Sequence, residues 1–184
     1  MEQKHLSIVG FSKDRDDKDF YPTPPETTFA LMAREQFEGN IWECASGDGR
    51  MAKVLKEYNT DVQCSDLRTD EKVYGEKGID FLQTHKQVDN IITNPPYKYA
   101  KEFVEHALKC SKNKVALLLK LVFLEGIGRY EMFQNSPLKT VYVFCKRQKV
   151  YKRGEVGKNS GLIAYAWFVW DKTYKGKPTI EWIP

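Results

Sequence analysis

The chain contains no run approaching eighteen uninterrupted apolar residues, which argues against a membrane-spanning helix. Its first ten residues, MEQKHLSIVG, lack the apolar core and small-residue cleavage site of a secretory signal. Cysteine is sparse: Cys44, Cys64, Cys110 and Cys145 stand far apart, with no CxxC pair. That spacing argues against a disulfide framework or a cysteine zinc site and fits reduced thiols in a cytoplasm. Histidine is sparser still. His5, His85 and His106 are scattered, so no metal centre is expected. Internal repeats, low-complexity tracts and an internal linker are also missing.

What remains is an ordinary globular composition. The 184 residues are 41% hydrophobic and 29% charged, enough for one domain with a substantial core. The net charge of +4 says little by itself. Its distribution says more: Lys146, Arg147, Lys149, Lys152, Arg153 and Lys158 crowd one segment against the lone acid Glu155. Such a run is either a solvated loop or a contact to phosphates.

Along the chain, residues 1–18 are polar and of mixed charge and read as a flexible arm. Residues 19–184 read as one domain, with 146–160 as a basic loop. Thr23 before Pro24 and Pro25, with Glu26 following, predicts a helix start, and the pattern runs to about Gln36. Apolar runs at 40–46, 61–67, 88–93, 114–123, 138–145 and 162–170 predict strands. Helical patterns follow the first, at Met51, Val54, Leu55 and Tyr58, and the third, over 99–111. Another is predicted over 124–134. The alternation predicts an α/β fold with a mainly parallel sheet, in which ligands sit beyond the carboxyl ends of the strands. Three polar motifs fall at such ends: ECASGDG at 43–49, Asp66, and Asn94-Pro95-Pro96-Tyr97.

The first motif is a strand end entering a tight glycine turn. Gly47 and Gly49 permit close backbone approach by a ligand, and the helix behind them offers free N–H groups. The pattern fits G-x-G-x-x-G/A, which does not separate a nicotinamide cofactor from S-adenosylmethionine. Asp66 is placed to accept hydrogen bonds from a ribose. Asp80 and Phe81 are placed to meet an adenine by its amino edge and by its face. In the third motif, prolines stop a β-branched strand and stiffen the loop.

The words DFYPTPP (19–25), ECASGDG (43–49), SDL (65–67), GIDFL (78–82), NPPY (94–97) and AYAWFVWD (164–171) occur in this order. Together they resemble phage-encoded DNA N6-adenine methyltransferases, which are Rossmann-like and depend on S-adenosylmethionine. The resemblance covers roughly residues 19–171. It implies a single methyltransferase domain with an antiparallel C-terminal strand. It implies that Tyr21, Thr23 and Pro24 close over the methionine part of the cofactor and that Glu43, Gly47 and Gly49 hold that part. Asp66 then takes the ribose, and Asp80 and Phe81 the adenine. DNA is the implied partner, with no membrane and no metal, in the cytoplasm of a bacterial host if the chain is phage-encoded. One departure is visible: Cys44 stands where such enzymes often have proline.

Asn94, Pro95, Pro96 and Tyr97 suit a reaction at an exocyclic amine. The lone pair of such a nitrogen is delocalised into the ring. Two acceptors, the Asn94 side-chain oxygen and the Pro95 carbonyl, would bind its two N–H bonds. Pro96 arranges them beforehand, and Tyr97 stacks on the base. Methylation at cytosine C5 uses a cysteine after proline in its own family, and no cysteine here follows a proline. Two rivals share the fold: an amino-methyltransferase acting on protein glutamine or RNA guanine N2, and a non-catalytic cofactor-binding module.

Overall fold

The computed structural model describes residues 22–148 and 163–184. The expected arm at 1–18, Tyr21, and the basic residues Lys149, Lys152, Arg153 and Lys158 lie outside them. Among the described residues, eight strands form one sheet: β1 (Ile41–Glu43), β2 (Val62–Asp66), β3 (Glu76–Lys77), β4 (Val88–Thr93), β5 (Ser111–Lys120), β6 (Leu138–Phe144), β7 (Tyr165–Asp171) and β8 (Thr179–Ile183), in the order β3-β2-β1-β4-β5-β7-β6-β8. Strands β1 to β5 run parallel, and β7 lies antiparallel between β5 and β6. This is the expected mainly parallel sheet with an antiparallel strand near the C-terminus. β8, which the apolar pattern did not predict, adds a parallel edge strand beside β6.

The helices α1 (Pro25–Met32), α2 (Arg50–Tyr58), α3 (Ala100–Cys110) and α4 (Tyr130–Gln134) connect the strands. The middle strands are covered on both faces, and their sequences show why. On β5, Val115, Leu117 and Leu119 enter one core while Ala116 and Leu118 enter the other. β7 divides the same way, with Ala166, Phe168 and Trp170 opposite Tyr165, Trp167 and Val169. A strand buried on both faces reads as an unbroken apolar run. Phe103, Val104 and Ala107 of α3 fill the first core, and Leu31 of α1 with Met51 and Leu55 of α2 fill the second.

Several boundaries differ from the sequence expectation. α1 ends at Met32 rather than near Gln36, and its N-cap is Pro24 without a side-chain cap. Thr23 does not cap it; its hydroxyl is engaged elsewhere. Tyr58, expected on the buried face of α2, is exposed and meets Phe29 edge-on. The helix expected over 124–134 is mostly 3-10 turn and loop, because Gly126 takes φ 110° and interrupts it.

The turn after α1 is fastened to the sheet by a buried carboxylate. Glu35 accepts from Lys114 Nζ at 2.7 Å, Lys139 Nζ at 3.1 Å and the Tyr142 hydroxyl at 2.9 Å. Burial pushes its carboxyl up, but hydrogen bonds from Lys114, Tyr142 and Lys139 outweigh that and hold it below its ordinary value of 4.5. A carboxyl lowered by folding stabilises fully above its unfolded value, and this contribution fades as pH falls through the folded one. Glu35→Gln is therefore expected to cost about 2 kcal/mol at neutral pH, since its lysine partners remain partly hydrated. Denaturant titration of both proteins should show the gap narrowing only below about pH 4.5.

Candidate functional site

The parallel strands deliver their carboxyl ends to one edge of the sheet. Glu43 ends β1, Asp66 ends β2, Asn94 follows β4, Lys120 ends β5, and Lys146 follows β6. β1 has β2 on one side and β4 on the other, so the strand order reverses there. A crevice at such a reversal is where open α/β sheets bind ligands.

The glycine turn is tied to the end of β2. Gly47 N–H donates to Asp66 Oδ2 at 2.8 Å, and Arg68 N–H donates to Asp66 Oδ1 at 2.8 Å. Each carboxylate oxygen retains a second acceptor site. Gly47 and Gly49 take φ 54° and 78°, in the left-handed region that glycine tolerates. Tyr74 walls the turn: its N–H donates to Gly47 O, and its carbonyl accepts from the Ser46 hydroxyl at 2.6 Å. The turn forms with Cys44 in the position where proline is common in the resembling enzymes. Cys44 packs in the core, and burial followed by the Glu43 charge pushes its thiol far above its ordinary range. It is a small apolar filler there, not a nucleophile.

Glu43 lies beneath this turn and is only 2% exposed. Burial first, then the charges of Asp66 and Asp48, push its carboxyl well above the carboxylate range, against an opposing hydrogen bond from the Ala52 backbone. Its Oε2 is buried and has no hydrogen-bond partner among the described residues. A buried acceptor left in this state is suited to a cationic ligand group, which would supply both the missing donor and the missing charge.

The Asn94-Pro95-Pro96-Tyr97 loop leaves β4 at the same edge. Asn94 Nδ2 donates to Thr23 Oγ1 at 3.0 Å, joining residues 71 positions apart. Thr23 and Pro24 are buried against this loop, at the entry to α1. The amide nitrogen of Asn94 thus faces Thr23, which leaves its oxygen as the acceptor end of the side chain. The Tyr97 ring lies 5.7 Å from that of Tyr165, and Lys120 Nζ sits 4.6 Å from its centroid.

Asp80 and Phe81 end differently from one another. Asp80 is partly exposed and caps a 3-10 turn by accepting from Leu82 N–H at 3.1 Å. Phe81 is 2% exposed and packs against Trp42, Phe103 and His106 at 5.3, 4.9 and 4.9 Å. The ring is thus packed into the core, where the sequence expectation had its face meeting an adenine.

Lys146 and Arg147 follow β6 and, with Glu26, Phe144, Gln148 and Pro184, line a cavity of about 350 Å³. Sequence reasoning assigns no role to Lys120, at the end of the long apolar strand, and passes over Tyr165 and Tyr74. A signal existed for Lys120, the charge that closes the apolar run 115–119. Tyr165 and Tyr74 carried none, because each acts by meeting a distant segment. Among the described residues no cluster of three or more potential metal ligands occurs, and no helix is long and apolar enough to cross a membrane.

No protein-family model and no curated protein sequence matches the chain. Solved structures do. A modification subunit assigned to a type I restriction enzyme of Vibrio vulnificus aligns over 92% of this chain and 49% of its own, with TM-score 0.64 and 13% identity. A protein assigned as a class I S-adenosylmethionine-dependent methyltransferase of Listeria monocytogenes aligns over 92% and 67%, with TM-score 0.64 and 11% identity. One assigned as an RNA methyltransferase of Pyrococcus horikoshii aligns over 90% and 93%, with TM-score 0.64 and 15% identity. The chain thus spans about half the length of the Vibrio subunit. The fold is that of the class I S-adenosylmethionine-dependent methyltransferases.

The glycine turn makes a direct prediction. A Cβ on Gly49 would lie 2.4 Å from the Tyr74 ring, at a φ that side chains rarely adopt. Gly49→Ala is expected to cost about 1–2 kcal/mol from the left-handed backbone, plus a displaced Tyr74. Urea unfolding checks this, and Tyr74→Ala in the same chain should relieve only the second part.

Proposed function

We propose that the chain transfers a methyl group from S-adenosylmethionine to the exocyclic N6 amine of adenine in DNA. The observation that carries this reading is the Asn94–Thr23 bond at the end of β4, beside the glycine turn of β1. It ties the Asn94 amide to the Thr23 segment by its nitrogen, which supports the reading of its oxygen as the acceptor for the amine.

The residues present fit the cofactor. Glu43 offers a buried, unpartnered oxygen to an α-ammonium group. Gly47 and Gly49 give the backbone room, and Asp66 keeps acceptor sites for ribose hydroxyls while it braces the turn. Thr23 and Pro24 cover the methionine side. Asp80 reaches the adenine edge, and Phe81 supports that turn from the core. Bound there, S-adenosylmethionine supplies a methyl group on an electrophilic sulfonium.

The chain's own residues prepare the nitrogen. Asn94 Oδ1 and the Pro95 carbonyl accept the two N–H bonds of the amine, which draws its lone pair out of conjugation. Pro96 removes freedom from the loop, so the acceptors need no rearrangement as charge develops on nitrogen. Tyr97 offers a face to the base, with stacking worth about 1–3 kcal/mol. That is comparable with the cost of a few kcal/mol for taking a base out of a duplex. Lys146 and Arg147, with Lys149, Lys152, Arg153 and Lys158, supply positive charge for the phosphates.

The same loop chemistry suits an amide of protein glutamine or the N2 amine of guanine in RNA. An RNA methyltransferase assignment stands among the structural neighbours. The basic segment favours nucleic acid over protein. Purified protein with labelled cofactor and separate DNA, RNA and protein pools decides between them. Label in DNA adenine is expected, and label confined to protein or RNA overturns the reading. Cofactor binding without transfer to any pool would instead identify a binding module.

Two substitutions separate binding from transfer. Asn94→Ala is expected to lower transfer by about 10²-fold or more while cofactor affinity changes little. Glu43→Gln should weaken cofactor binding and flatten its pH dependence. In the native chain, binding a cation requires the ionised Glu43, whose carboxyl is raised, so affinity should climb with pH until Glu43 is ionised. Calorimetry across pH checks both.

A further inference from the structure

The segment leaving β5 carries an apolar cluster that the proposed chemistry does not use. Val122, Leu124, Ile127 and Tyr130 are all exposed, and Ile127 reaches 90%. Single exposed apolar residues are common, but four within nine positions form a patch. The tip is also stiff. Arg129 turns back and donates to the carbonyls of Phe123 at 2.8 Å, Val122 at 3.4 Å and Glu125. Its guanidinium carbon lies 5.0 Å from the Phe123 ring, which meets Phe133 and Phe168 edge-on in the core. Gly126 takes φ 110°, and a Cβ there would meet the Arg129 guanidinium at 2.8 Å. Nothing lies within 4 Å of a Cβ at Gly128. The loop is thus braced from inside and presents one isoleucine between two glycines.

Its position matters as much as its rigidity. β5 is the neighbour of β4, so this loop leaves the sheet beside Asn94-Pro95-Pro96-Tyr97. Lys120, at its root, already lies over the Tyr97 ring. The strand ends along this edge carry Lys98, Lys120, Lys146 and Arg147, a stripe suited to phosphates, with Glu125 the opposing charge in the loop. Proteins that separate base steps do so with a rigid apolar wedge. We propose that Ile127 is such a wedge: it enters the base stack of duplex DNA beside the target adenine and holds open the gap from which that base is extruded. The proposal rests on the adenine reading above and adds a duplex-specific step to it.

The test compares the native chain with Ile127→Ser and Ile127→Leu on unmethylated amplified DNA, both as duplex and after heat denaturation. Ile127 touches little of its own protein, so thermal midpoint and cofactor affinity should stay as they are. Ile127→Ser is expected to lower kcat/KM on duplex by about tenfold or more, because the extrusion cost is then less well met. Transfer to denatured DNA should remain within about twofold, since that base needs no extrusion. Ile127→Leu should keep most duplex activity. Equal rates on duplex, or equal losses on both forms of DNA, overturn the wedge while leaving adenine methylation intact. A fall in sedimentation mass for Ile127→Ser assigns the patch to a second copy of the chain and also overturns it. If the native chain labels neither form of DNA, the adenine reading itself fails and the wedge falls with it.

Discussion

The constraint on which the rest depends is that β5 and β7 are buried on both faces. With Val115 to Leu119 and Tyr165 to Trp170 packed above and below, these strands have no solvated face on which to place chemistry. Polar function is forced to the strand ends, where chain leaves the sheet and backbone groups become available. Parallel strands bring those ends to one edge. Glu43, Asp66, Asn94 and Lys120, separated by up to 77 positions in sequence, therefore share an edge without any long polar network to gather them.

Within that edge the local bonds have a division of labour. Asp66 is a brace: both of its oxygens accept backbone N–H groups, and the glycine turn takes its shape from them. Glu43 is the opposite case, a buried carboxyl with an oxygen that none of the described residues satisfies. The first arrangement stabilises the fold, whereas the second is a cost that folding carries. In the proposed reading, the ammonium group of the cofactor completes it. The contrast between two acids on neighbouring strands is therefore more informative about ligand binding than the glycine spacing, which many strand-to-helix turns share.

Much of this was legible in the sequence, for identifiable reasons. β4 was readable to the residue because a β-branched run stops at prolines. β5 was legible as a strand because burial on both faces removes alternation, but it spans Ser111–Lys120 rather than 114–123: its start is polar, and the apolar run continues into the 3-10 turn Leu121–Leu124. The glycine turn and Asp66 could be placed at strand ends from strand order alone. Other features escaped because their causes are tertiary. β8 has four of five residues exposed and so lacks an apolar signature; pairing with β6 makes it a strand. Thr23 looked like a helix cap, the commonest use of a threonine before prolines, but Asn94 claims its hydroxyl. Phe81 looked available to a ligand because the sequence cannot show that Trp42, Phe103 and His106 surround it.

The Thr23–Asn94 bond bears on how the site would assemble. In the proposed reading, the Thr23 segment covers the cofactor while Asn94 receives the amine. A hydrogen bond between them ties the seated segment to the Asn94 amide. This follows from which side chain Thr23 engages. A threonine that capped α1 would instead have fastened the segment to its own helix.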